Sequence, residues 1–131
     1  VTDFSIPLRA GARNAGGGTA DVTITNNTLN SGGGFAFGAV WVFAGNGSGG
    51  ESNATCVNLA NNNANDPFGT QEYYVEQYAG NTFNLQGYAG APNSQGAIQT
   101  FIEGNNFSGD ALVETCCGTI INVTSGICAV P

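Results

Sequence analysis

The stretch Val22-Thr23-Ile24-Thr25-Asn26-Asn27-Thr28-Leu29-Asn30 decides the fold. Its first half alternates apolar and polar side chains, the period of a strand with one face in a core. Its second half is a corner of asparagines, which tolerate left-handed backbone angles and cap unpaired amides with their own side chains. The pattern recurs. Cys56-Val57-Asn58-Leu59 leads into Asn61-Asn62-Asn63-Ala64-Asn65, Tyr74-Val75-Glu76-Gln77-Tyr78 into Gly80-Asn81-Thr82-Phe83-Asn84, and Phe101-Ile102-Glu103 into Gly104-Asn105-Asn106-Phe107. Asn27 lies 35 positions before Asn62 and 54 before Asn81. Both offsets fall near multiples of about 18, roughly one coil of a solenoid. Stacked coils are therefore expected, and a stack is in the first place a scaffold.

A chain of 131 residues suits one domain. Charged residues make up 8%, Arg9 and Arg13 are the cations, Lys and His are missing, and the formal net charge is −7. Nucleic-acid and anionic-membrane partners are disfavoured, because binding phosphate needs Lys or Arg to displace counterions. With 21 Gly and abundant Asn, Ser and Thr, surface hydration rests on neutral amides and hydroxyls, as suits a secreted material. No apolar run approaches the ~20 residues of a membrane span, and membrane insertion is not expected. No charged segment followed by an apolar one opens the chain, so Val1 reads as a mature or trimmed N-terminus.

Cys56, Cys116, Cys117 and Cys128 are even in number and lack CxxC spacing. That favours disulfides in an oxidising compartment over a zinc site. Adjacent Cys116 and Cys117 strain to bond each other, so each is expected to seek a distant or intermolecular partner. Asn26, Asn46, Asn53, Asn106 and Asn122 each open an Asn-x-Ser/Thr acceptor pattern and are candidate glycosylation sites. The competing explanation is that asparagine simply suits coil corners.

Residues 1–10 alternate like a strand without an obvious partner, and residues 11–18 are Gly-rich and read as a linker. This separates an N-terminal segment, 1–19, from a body, 20–131. A strand set apart in this way either packs on its own domain or pairs with a neighbouring subunit's sheet edge. The second option leaves a β-sandwich filament subunit with a donated N-terminal strand as the alternative fold. In the body, strands are expected at 22–24, 35–43, 55–59, 72–78, 82–85, 97–102 and 119–123, with Gly/Asn/Ser turns at 31–34, 45–50 and 87–96. Residues 96–103 carry Ala97, Ile98, Phe101 and Ile102 at helical spacing and fit a short capping helix equally.

Chemistry is sparsely provided. Without His or Lys there is no triad, imidazole base or Schiff-base lysine. The candidate carboxylates are Asp66, Glu72, Glu76, Glu103 and Asp110. Glu72 and Glu76 share a strand face about 13 Å apart, too far for either geometry of glycoside hydrolysis. Asn62-Asn63-Ala64-Asn65-Asp66 offers oxygen ligands for calcium, yet neutral amides bind weakly and a turn explains the run better. Ice binding would need regular Thr-x-Thr rows, and only Thr23 and Thr25 supply one. Trp41 with Tyr73, Tyr74, Tyr78 and Tyr88 forms either an aromatic platform for sugars or, as the favoured reading, core and inter-subunit packing.

Residues 20–131 resemble the C-terminal portion of bacterial right-handed parallel β-helix repeat proteins, which are secreted or surface-anchored. The resemblance rests on Val22 to Thr28, on Gly38 to Gly45, on Cys56 to Asn62, on Thr82-Phe83-Asn84-Leu85-Gln86-Gly87-Tyr88-Ala89-Gly90 and on Cys128-Ala129-Val130-Pro131. It implies an all-β fold, a short right-handed parallel β-helix, with Cys56 paired to Cys128 so that the final segment is tied back onto a coil. Cys116 and Cys117 depart from the pattern, and the chain is short for the family. The expectation is a non-enzymatic extracellular structural protein that self-assembles into a filament or surface layer with other copies of the same chain, without cofactor or metal. A carbohydrate-binding or adhesive module of a larger surface protein is the alternative.

Overall fold

The computed structural model describes residues 8–30, 38–66, 71–115, 119–123 and 128. They form ten strands and one helix: β1 (Leu8–Ala12), β2 (Gly18–Thr25), β3 (Thr28–Asn30), β4 (Val40–Ala44), β5 (Asn53–Ala60), β6 (Asn63–Asn65), β7 (Tyr73–Gln77), β8 (Thr82–Gln86), α1 (Gln95–Asn105), β9 (Ala111–Thr115) and β10 (Thr119–Val123). Consecutive strands go to different sheets. The first sheet runs β1-β4-β7-β9, the second β2-β5-β8-β10, and the third β3-β6, extended by a parallel bridge from Asn63 to Ser108. Every strand pair is parallel. The chain thus visits three sheets in rotation and lays each circuit on the previous one. The antiparallel pairing of a β-sandwich is absent among the described strands.

One circuit is longer than the asparagine spacing indicates. Asn27 hydrogen-bonds to Asn62 across 35 residues, and this is a single circuit, not two. Asn81 does not stack on Asn27 at all; it lies under Asn53, 28 residues away. The reason is geometric: a three-sheet circuit has several corners, asparagine serves at two of them, and the offsets mix the two. β1 also belongs to the stack, since Leu8–Ala12 pair in register with Val40–Ala44. The division drawn at residue 19 falls inside β2, a strand of the second sheet.

Alternate side chains of each strand point into the space between the sheets. Ile24, Val42, Val57, Leu59, Val75, Phe83, Leu85, Val113 and Ile120 share one core. Two polar residues face inward and find partners there. Thr55 Oγ1 donates to the Phe43 carbonyl at 2.8 Å and accepts from the Ala12 N–H, and Gln77 Nε2 donates to the Asn81 carbonyl. Such pairing offsets the desolvation of buried polar groups.

Residues 95–105 are helical, which decides between the two readings of that segment. α1 seals the core with buried Ile98 and Ile102, while Phe101 packs edge-on against Tyr88. It also covers part of the last edge of the first sheet. Tyr73 N–H bonds Asp110 C=O, so the neighbouring Ala111 turns its own N–H and C=O outward. Glu103 Oε1 accepts that N–H and Gln99 Nε2 donates to that C=O. Cys56, on the outer side of β5, is disulfide-bonded to Cys128, 72 residues on. Closing such a loop contributes about 4 kcal/mol in the chain-entropy model. Cys128 N–H also donates to Gln86 Oε1. Cys116 and Cys117 lie outside the described residues.

Candidate functional site

Parallel in-register pairing aligns side chains from successive circuits into rows, and the outer face of the first sheet holds the densest set of functional groups. Arg9, Trp41, Tyr74 and Leu112 form one row; Gly11, Phe43, Glu76 and Glu114 form the next. Tyr78 follows β7 and reaches back over Glu76, to which its hydroxyl donates. Trp41 meets Phe43 and Tyr74 edge-on at centroid distances of 5.7 and 5.8 Å. The Arg9 guanidinium lies 3.8 Å from the Trp41 ring centroid, a cation–π contact that covers that face of the indole.

The carboxylates are held by this aromatic set. Trp41 Nε1 donates to Glu76 Oε2 at 3.2 Å, and Tyr74 Oη donates to Glu114 Oε2 at 2.5 Å, with Glu76 Oε1 at 3.5 Å on its other side. Burial, the hydrogen bond to Glu114 and the nearby carboxylates together push the Tyr74 phenol far above its usual range. Tyr78 is raised to about 12, first by its hydrogen bond to Glu76 and then by burial. Both phenols are therefore fixed as donors, with the Glu76 and Glu114 carboxyl oxygens as their acceptors. Glu114 was not among the carboxylates singled out from sequence. It sits beside Glu76 because one circuit separates them, a relation visible only once the circuit length is known.

The other candidates serve the scaffold. Tyr73 points inward, its hydroxyl donating to the Ser108 carbonyl at 3.0 Å, and burial raises it to about 12. Tyr88 is buried and donates to the Ala91 carbonyl. Glu72 accepts the N–H groups of Asp66 and Asp110, stapling two circuits, and Glu103 serves the β9 edge. Asn62 is fully buried, and its Oδ1 accepts both N–H and Nδ2 of Asn27. Its own Nδ2 donates to Ile24 C=O and Asn106 Oδ1, so Asn62 serves a corner of the winding. Among the described residues no three His, Cys, Asp or Glu side chains are grouped to hold a metal. Thr23 pairs with Asn58, so the Thr row is one circuit deep.

The acceptor asparagines separate by burial. Asn26 is exposed and Asn46 half-exposed. Asn53 is 2% exposed and its Nδ2 donates to Asn14 C=O, Glu51 and Asn81, which leaves a glycan no room. Asn106 Nδ2 is turned to the Ile102 carbonyl. The side chain of Asn122 lies outside the described residues.

Comparison with protein-family models, with curated proteins and with solved structures finds no match for this chain.

Proposed function

We propose that the chain is a short right-handed parallel β-helix and works as a non-enzymatic structural protein outside the cell, joining other copies end to end into a filament or surface layer. The observation that carries the reading is the position of its uncovered apolar groups. Among the described residues the exposed large apolar side chains are Leu8, Phe107 and Ile121. Leu8 is on the edge strand β1 of the first circuit, Ile121 on the edge strand β10 of the last, and Phe107 on the last pass of the third sheet. Edge strands that also carry apolar side chains invite pairing with another chain. The disulfide suits an oxidising compartment, and no described helix is long and apolar enough to cross a membrane.

Light scattering and negative-stain microscopy over a wide concentration range test it. Elongated species should grow with concentration, and Leu8→Asp with Ile121→Asp should suppress them without changing the circular dichroism. A monodisperse monomer at every concentration sinks the proposal. The gathering of Trp41, Tyr74, Tyr78, Glu76, Glu114 and Arg9 on one outer face favours an adhesive or carbohydrate-binding role as the second reading. Specific glycan-array binding that Trp41→Ala abolishes, from a protein that stays monomeric, would put that reading first.

A further inference from the structure

We infer that Asn46 is a site of spontaneous deamidation, in which the Gly47 nitrogen attacks the Asn46 side-chain amide. Asn46-Gly47 is the one Asn-Gly pair in the chain. Glycine has no Cβ to shield its nitrogen, so this is the asparagine whose neighbour can approach most closely. The pair lies in the loop between β4 and β5, where Gly47, Ser48, Gly49 and Gly50 are exposed and the three glycines have positive φ.

Glu51 anchors the loop on either side of the nucleophile. It accepts the N–H of Asn46 at 2.8 Å and the N–H of Ser48 at 2.7 Å, while the Gly47 N–H between them has no acceptor among the described residues. The electrophile is polarised as well. Asn46 Oδ1 accepts the Ser48 N–H at 2.8 Å and also the Ser48 hydroxyl, which closes a turn around Gly47. The Ser48 N–H on that oxygen, with the hydroxyl whose one proton is shared between it and Glu51 Oε1 at 2.8 Å, stabilises the negative charge it acquires when the nitrogen adds, as donors do in an oxyanion hole. The stacked asparagines differ: Asn53, Asn62 and Asn106 commit their Nδ2 to neighbouring circuits.

The step balances without an oxidant. Gly47 N forms a bond to Asn46 Cγ and gives up its proton. The Cγ–Nδ2 bond breaks and the amide nitrogen leaves as ammonia. Water then opens the five-membered imide at either carbonyl, leaving aspartate or isoaspartate. The product places a new carboxylate beside Glu51, and the isoaspartate form lengthens the backbone within the turn that Glu51 holds. Glycosylation would use the same Nδ2, so a glycan at Asn46 and deamidation exclude each other.

The test is incubation of the folded protein at about pH 8, read by intact mass and peptide mapping with isoaspartate detection. A gain of one mass unit should map to residue 46 before any other asparagine, as fast in folded protein as in urea-unfolded protein or faster. Ser48→Ala, which removes the hydroxyl donor, should slow it, by well under the ~100-fold of a full oxyanion-hole donor because that proton is shared with Glu51. Conversion elsewhere with Asn46 intact overturns the assignment, as does folded protein reacting more than about tenfold slower than unfolded. An unchanged or faster rate in Ser48→Ala overturns the role given to that hydroxyl.

Discussion

Two corners of the winding are built from stacked asparagines, one without charge and one around a carboxylate. Between the second and third sheets, Asn26 and Asn61 turn the chain, each with φ of 58°. The residues after them, Asn27 and Asn62, stack with Asn106 below. Each amide accepts the backbone N–H and the side-chain NH2 of the circuit before it, so the arrangement propagates. It ends at α1, where Asn106 is the C-cap and donates to Ile102 C=O. Between the first and second sheets, Asn14, Asn53 and Asn81 stack in the same sense, but Glu51 is inserted beside Asn53. Gly45 is required there: its φ is +88°, and a Cβ would lie 2.2 Å from Asn81 Nδ2 and 2.7 Å from Glu51 Oε2. The neutral ladder passes the same bonds from circuit to circuit, whereas the carboxylate beside Asn53 makes its corner responsive to pH.

Removing the centre of each stack should expose the difference. Asn62→Ala leaves the Asn27 N–H without its acceptor at a fully buried site and takes one donor each from the Ile24 C=O and Asn106 Oδ1, the latter keeping the backbone N–H of residue 62. At about 1–3 kcal/mol for the stranded N–H and less for the two weakened acceptors, the expected loss is about 3 kcal/mol by urea denaturation. Asn53→Ala strands the Asn14 N–H and removes a donor from the Asn14 C=O and from Asn81 Oδ1, which keeps the residue-53 N–H, but the exposed 47–50 loop lets water replace them, and about 1 kcal/mol is expected. Equal losses at the two positions would mean that the corners are energetically the same.

The strand periods in 22–24, 55–59, 82–85 and 119–123 were legible because one face of each is core. Short β3 and β6 were hidden inside the asparagine corners. β9 is hard to see in the sequence because Ala111-Leu112-Val113-Glu114-Thr115 runs directly into Cys116-Cys117, with one glycine, Gly118, before β10. The asparagine spacing misstates the circuit length because Asn27 and Asn81 both open an Asn-Thr-apolar-Asn unit yet occupy different corners. The outer face of the first sheet was half legible. Trp41, Tyr74 and Tyr78 were grouped from sequence, but Glu114, Phe43 and the capping Arg9 join them only through inter-circuit register, which no local spacing encodes.

The smallest effect expected is also the most diagnostic of the charged corner. Burial opposes ionisation of Glu51, yet the Ser48 hydroxyl, the N–H groups of Asn46 and Ser48 and the Asn81 amide outweigh it and hold the carboxyl below its ordinary value of 4.5. A carboxyl lowered in the fold binds its proton first in the unfolded chain, so its contribution is complete above 4.5 and fades as pH falls through the lower, folded value. The stability gap between the wild type and Glu51→Gln should therefore be constant near neutrality and close progressively below about pH 4.5. The same subtraction made in the Asn62→Ala background should give the same pH profile, because the neutral corner titrates nothing. A gap that stays level down to about pH 3 would mean that Glu51 acts by shape and not by charge. The two corners would then differ only in the residues that fill them.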